Sequence, residues 1–192
     1  MASWYALVAV GLFIAGYILA GSRARAVAGG DYAGMHSLPT YHGLYTASLA
    51  FLPALFIFIC GSFIAGQLAT YSAISALPEN IQSDVLRQGA ALREAINIVR
   101  GGSPAAASAE VQSAAASYGS VLSAGQWATL ALGMLAGFGG LSWGLSRVSM
   151  NFRARNNFEK LVHGLLWICA TIAVLTTVGI VFSVVGETYR FF

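Results

Sequence analysis

Four stretches of the chain are apolar and free of charge for long enough to cross a bilayer, and nearly everything ionisable is gathered between them. A helix rises ~1.5 Å per residue, so a hydrocarbon core about 30 Å thick asks for about 20 apolar residues in succession. WYALVAVGLFIAGYILAG (4–21), LYTASLAFLPALFIFICGSFIAGQL (44–68), QWATLALGMLAGFGGLSWGLS (126–146) and LVHGLLWICATIAVLTTVGIVFSVVG (161–186) meet that requirement. None alternates polar and apolar positions as a barrel strand does, so the pattern predicts four membrane helices. No Lys or Arg precedes Trp4, and the first apolar run exceeds the usual core of a signal peptide, which favours a mature helix.

A different period governs residues 69–125. In PENIQSDVLRQGAALREAINIVRGGSP, Ile81, Val85, Leu92, Ile96 and Val99 recur at helical spacing and predict one amphipathic helix, started by Pro78 and stopped by Gly101-Gly102. The alanine-rich stretch that follows carries Val111, Tyr118 and Leu122 on one side and can run directly into the third span. The expected fold is therefore an all-α membrane protein with four transmembrane helices and an extracytoplasmic helical hairpin between helices 2 and 3. It divides into 1–68 (helices 1 and 2 with a cytoplasmic turn), 69–125 (the outer segment) and 126–192 (helices 3 and 4). The outer segment reads either as a structured linker or as a sensor or docking module.

Composition agrees with a membrane chain: of 192 residues, 57% are hydrophobic and 9% charged, against roughly 25% charged in soluble domains. Charge then sets the orientation. The short links around 22–43 and 147–160 hold Arg23, Arg25, Arg147, Arg153, Arg155 and Lys160 against Asp31 and Glu159. The longer segment and the C-terminal end hold Arg87, Arg93, Arg100 and Arg190 among five acids. Basic residues in short loops stay on the cytoplasmic side, so both termini are expected outside. The clustered Lys/Arg with interleaved aromatics that a nucleic-acid partner needs is missing.

Candidate chemistry is sparse. His36, His42 and His163 fall near one predicted face, but their spacing matches no i, i+4 ligand pair and no carboxylate or cysteine cluster accompanies them; the headgroup zone is their expected place. Cys60 and Cys169 sit inside spans without a CxxC pattern and read as small hydrophobes. Gly133-xxx-Gly137 and Gly140-xxx-Gly144 permit close helix approach, with Gly139 between them. Pro53 removes a backbone hydrogen bond inside the second span and predicts a kink. No Asp, Glu, Lys or Arg lies within the spans, which argues against a self-contained ion-coupled carrier, and no nucleophile–base pair suggests an enzyme. Gly29-Gly30-Asp31 lacks the Lys and Ser/Thr of a P-loop.

Two stretches carry a family resemblance. RARAVAGGDYAGMHSLPTYHGLYTASLAFLPAL (23–55) resembles the N-terminal extension of Pst-type phosphate ABC transporter permeases of the PstC kind, with its Arg-rich turn, Ala-Gly-Gly element and His-Ser-Leu-Pro element. NFRARNNFEKLVHGLLWICATIAVLTTVGIVFSVVGETYRFF (151–192) is similar to the region leading into the permease core of the same proteins. The resemblance implies a subunit of an inner-membrane importer working with a second permease, ATP-binding subunits and a periplasmic phosphate-binding protein. It implies further that the coupling loop with its Glu-Ala-Ala pattern and the remaining core helices follow Phe192, so the chain is expected to be an N-terminal portion of a longer permease. No phosphate-binding, catalytic, metal or cofactor residue carries over; Arg190 is the one marginal substrate-side candidate. The rival reading is a stand-alone four-helix sensor or adaptor whose outer segment perceives a signal.

Overall fold

A computed structural model describes residues 2–30, 32, 34–104 and 107–191, and every element in it is a helix. The first, α1, spans Ala2–Ala28 and outlasts its apolar run by two turns. Ser22, Arg23 and Arg25 do not end it, because a charge is compatible with helical backbone. What ends it is Gly29-Gly30, whose φ angles of 55° and 95° are left-handed. Asp31 lies outside the described residues.

Pro39 starts α2, Pro39–Ser75, at a position where its missing N–H costs nothing. Leu38 before it is extended (ψ 150°), as a residue preceding proline prefers. The helix continues through Pro53 to Ser75.

The outer segment departs from the expected single helix. A one-turn α3, Glu79–Gln82, is followed by α4, Val85–Val99. Between them Asp84 captures the chain: its Oδ1 accepts from the N–H groups of Leu86 (3.0 Å) and Arg87 (3.3 Å), which sets a new N-cap. Ile81 and Val85 thus belong to different helices, and Val85 is 78% exposed. The buried edge of α4 is Ala91 and Ala95, which meet Ala73 and Leu77 at the end of α2 and Val111, Ala114 and Ala115 at the start of α5. Alanine on all three helices lets their backbones approach closely. Leu92 and Tyr118 pack against this cluster as the period suggested.

The longest elements are α5, Ala109–Ser146, and α6, Ala154–Phe191, each of 38 residues. Ser108 caps α5, accepting from Val111 N–H at 3.4 Å, and the helix runs without interruption from the outer cluster through the third span. In α6 the basic residues predicted for a loop, Arg155 and Lys160, instead form its first turns, with an Arg155–Glu159 ion pair at 2.7 Å one turn apart. All four long helices, α1, α2, α5 and α6, are long and apolar enough to cross a membrane.

Three of them form a bundle: α2 packs along α5, and α1 lies against both. The two short links meet at one end of it. There Ala20 and Ala24 of α1 bury against Val148, with Met35 and Leu145 around them. The α3–α4 hairpin lies at the opposite end, where α2 finishes and α5 begins. By the positive-inside rule the link end is the one expected to face the cytoplasm. In a variant whose two native cysteines are replaced, Ala90→Cys on α4 should react with an impermeant maleimide added outside intact cells, whereas Ser149→Cys should react only after lysis; the reverse pattern overturns this orientation. Both positions are exposed.

Candidate functional site

Two constructions stand out: a glycine seam between α5 and its neighbours, and a joint at the basic end that holds α6. The seam uses the glycines that the sequence marked. A Cβ at Gly133 would overlap the Tyr5 hydroxyl, one at Gly137 would lie 2.7 Å from Leu12 Cδ1, and one at Gly144 would lie 2.7 Å from Thr46 Cγ2. At Gly140 it would overlap the carbonyl oxygen of Leu49. Gly139, on the far side, has open space around it.

The Leu49 contact follows from Pro53. Proline has no N–H, so the carbonyl four residues earlier loses its helical donor. The hydrogen that Gly140 carries in place of a side chain points at that oxygen, a weak C–H···O contact in a place where a neutral backbone is otherwise exposed to the bundle. A second carbonyl on the same stretch, that of Ala54, accepts a 2.6 Å hydrogen bond from the buried Tyr5 hydroxyl, which ties α1 to α2. Tyr5 also stacks on Phe58 with centroids 4.5 Å apart. Polar satisfaction and close packing therefore converge around Pro53.

The joint is built from both links. His36 N–H donates to the Met150 carbonyl at 3.2 Å, and Arg155 N–H, in the first turn of α6, donates to Ser37 Oγ at 3.2 Å. Phe152, in the second link, lies against α2, its ring 5.8 Å from the His42 ring and 5.3 Å from that of Tyr45. The Arg155 guanidinium stands 5.8 Å from the Tyr41 ring centre. Ala154 is fully buried. Beyond this joint α6 stands away from the bundle: from His163 to Phe191 every residue is exposed.

His42 is not open to the headgroup zone as expected: it is 1% exposed and packed inside the joint, where Phe152 of the α5–α6 link lies against it. Its Nε2 and the Thr46 Oγ1 one turn later have no hydrogen-bond partner among the described residues. His36 is exposed and engaged through its backbone; His163 is exposed on α6, where its Nε2 accepts from Trp167 Nε1 at 3.2 Å. The three histidines are not brought together, and no group of three or more His, Cys, Asp or Glu suited to a metal occurs among the described residues. Cys60 is half-buried, Cys169 is exposed on α6, and neither is bridged. Arg190 lies in the last turn of α6, far along the helix from the joint.

Sequence reasoning located the glycines and Pro53 but not the pairing between them, since nothing local says that Gly140 faces Leu49. It also passed over Phe152, and it read Ser37 only as part of the entry to α2, not as the acceptor for Arg155 N–H.

Long apolar helices, a seam of small residues and a basic collar at one end make this a multi-pass α-helical membrane protein. Its relatives narrow the class: the sequence profile of a family described as phosphate ATP-binding cassette transporter matches residues 6–176, and the chain belongs to that family. No curated protein and no solved structure matches it.

Proposed function

We propose that the chain is the N-terminal membrane region of a permease subunit in a bacterial inner-membrane importer of inorganic phosphate, serving assembly and contact with the periplasmic binding protein. The observation that carries this reading is the family match across residues 6–176, which takes in nearly all of the first span, the second and third, and part of the fourth. Two features of the fold support it. The α1–α2–α5 bundle contains no Asp, Glu, Lys or Arg between its membrane boundaries, which suits a scaffold better than a translocation path. And α6 leaves the bundle at the joint as a single apolar helix with its whole circumference available to partner helices.

In this reading the chain carries out no chemistry of its own. ATP is hydrolysed by partner subunits, a second permease subunit completes the membrane path, and the outer hairpin meets the phosphate-binding protein. The stand-alone sensor predicts a different outcome when the chain is lost. Under phosphate limitation, a strain of the native host lacking the chain should lose most of its uptake of radiolabelled inorganic phosphate while still importing glutamine. Unchanged phosphate uptake overturns the proposal. Removing residues 80–120 should spare membrane insertion but depress uptake; normal uptake in that variant excludes binding-protein contact by the hairpin.

A further inference from the structure

At the basic end a shallow groove of about 460 Å³ runs between α1 and α5, lined by Leu19, Ser22, Arg23, Ala26 and Leu145. Its composition changes along its length. Leu19 and Leu145 give an apolar floor on the membrane side, and Arg23 stands at the mouth.

The depth of that mouth follows from the helices. Trp4 and Arg23 are 19 residues apart on α1, about 28 Å along a helix and close to the thickness of the hydrocarbon core. Trp4 is 67% exposed, as an interfacial tryptophan would be, so Arg23 falls at the opposite headgroup level. On α5, Trp143 is also exposed and carries the Arg147 guanidinium 5.4 Å from its ring centre, which marks the same interface. Arg23 itself is exposed and makes no ion pair or hydrogen bond among the described residues. The Ser22 hydroxyl spends its proton on the Leu19 carbonyl at 2.9 Å, so Arg23 is the donor left at the mouth. A guanidinium offers planar paired donors that match a phosphate.

We propose that an anionic phospholipid seats in the α1–α5 groove, its phosphate and acidic headgroup held by Arg23 and an acyl chain lying over Leu19 and Leu145. Charge complementarity selects this occupant over a zwitterionic lipid: Arg23, Arg25 and Arg147 gather at this end of the bundle, whereas a phosphatidylcholine headgroup brings its own cation to the site. The apolar floor selects a lipid over a free anion, because inorganic phosphate has nothing to place on two leucines. One such lipid would bridge α1 and α5 beside the cluster in which Ala20 and Ala24 of α1 meet Leu145 of α5 and Val148 of the following link.

The test compares two lipids that differ only in the headgroup. Native mass spectrometry of the full chain in detergent, titrated with dioleoylphosphatidylglycerol or dioleoylphosphatidylcholine, should show about fivefold tighter binding of the first, the scale of one Arg near an anionic headgroup. Arg23→Gln should bring that ratio close to one. Arg100→Gln, on the outer hairpin, should leave it unchanged. Because Arg23 is exposed, the variant should fold normally, which circular dichroism checks. Equal affinity for the two lipids, or a preference that survives Arg23→Gln, overturns the proposal. So does a preference abolished by excess inorganic phosphate at constant ionic strength, which would make the site one for a free anion.

Discussion

Gly140→Leu should unseat α5 from α2, while Gly139→Leu, one residue away, should leave the protein as stable as before or slightly more so. The contrast is sharp because the two changes share chemistry and differ only in what they meet. At Gly140 the new side chain runs into the Leu49 carbonyl, a backbone atom that cannot rotate aside, with the Ala50 nitrogen also 3.1 Å from the Cβ position. Overpacking of a well-filled interior costs about 1–3 kcal/mol, more when backbone must move, and in a bilayer no hydrophobic drive holds the helices together against it. At Gly139 there is nothing within 4 Å, and leucine is a better helix former than glycine by up to about 1 kcal/mol. Thermal unfolding in detergent, followed by helical circular dichroism, separates the two. Equal melting temperatures would mean that the seam does not hold the bundle.

Phe152→Ala should free α6 from the bundle without unfolding either. The ring fills the space between His42 and Tyr45, and it is half-buried, so its loss should cost about 2 kcal/mol, below the 3–5 kcal/mol of a fully buried Phe. What remains at the joint is two hydrogen bonds, Arg155 N–H to Ser37 Oγ and His36 N–H to the Met150 carbonyl, with the Arg155–Tyr41 contact and the small buried Ala154. The helix from His163 onward is exposed throughout among the described residues, and about 40 Å of it acts as a lever. Spin labels at Ser62 on α2 and Ser183 on α6, both exposed, report the result. Their distance distribution should be narrow in the parent and broad in Phe152→Ala. An unchanged width would show that Phe152 does not fix α6.

How far the sequence led is best seen at particular residues. Long apolar runs dictated the four spans because backbone hydrogen bonds must be made internally in lipid, and that constraint is local. Helix ends were less legible. Arg23 and Lys160 bound the apolar runs, not the helices, so α1 and α6 extend past the lengths that charge alone suggested. The α3–α4 break was missed because the hydrophobic period runs across it, and the capping preference of Asp84 outweighed the period. His42 was misplaced for a different reason. Its burial depends on the α5–α6 link returning over α2, a long-range contact between residues more than a hundred positions apart. The family resemblance noted in the sequence agrees with the match over residues 6–176 at the level of phosphate ABC transport.

The continuity of α5 has a mechanical consequence. Its 38 residues extend about 57 Å, roughly twice the hydrocarbon thickness, and the same rod carries Val111, Ala114 and Ala115 in the outer cluster and Gly133 to Gly144 in the seam. A protein that grips the hairpin and turns the rod about its axis would also turn the seam, so that the glycines no longer face Leu12, Leu49 and Thr46. In that sense α5 is a single shaft: a rotation imposed at the hairpin would reach the packing of the seam with no loop in between to absorb it.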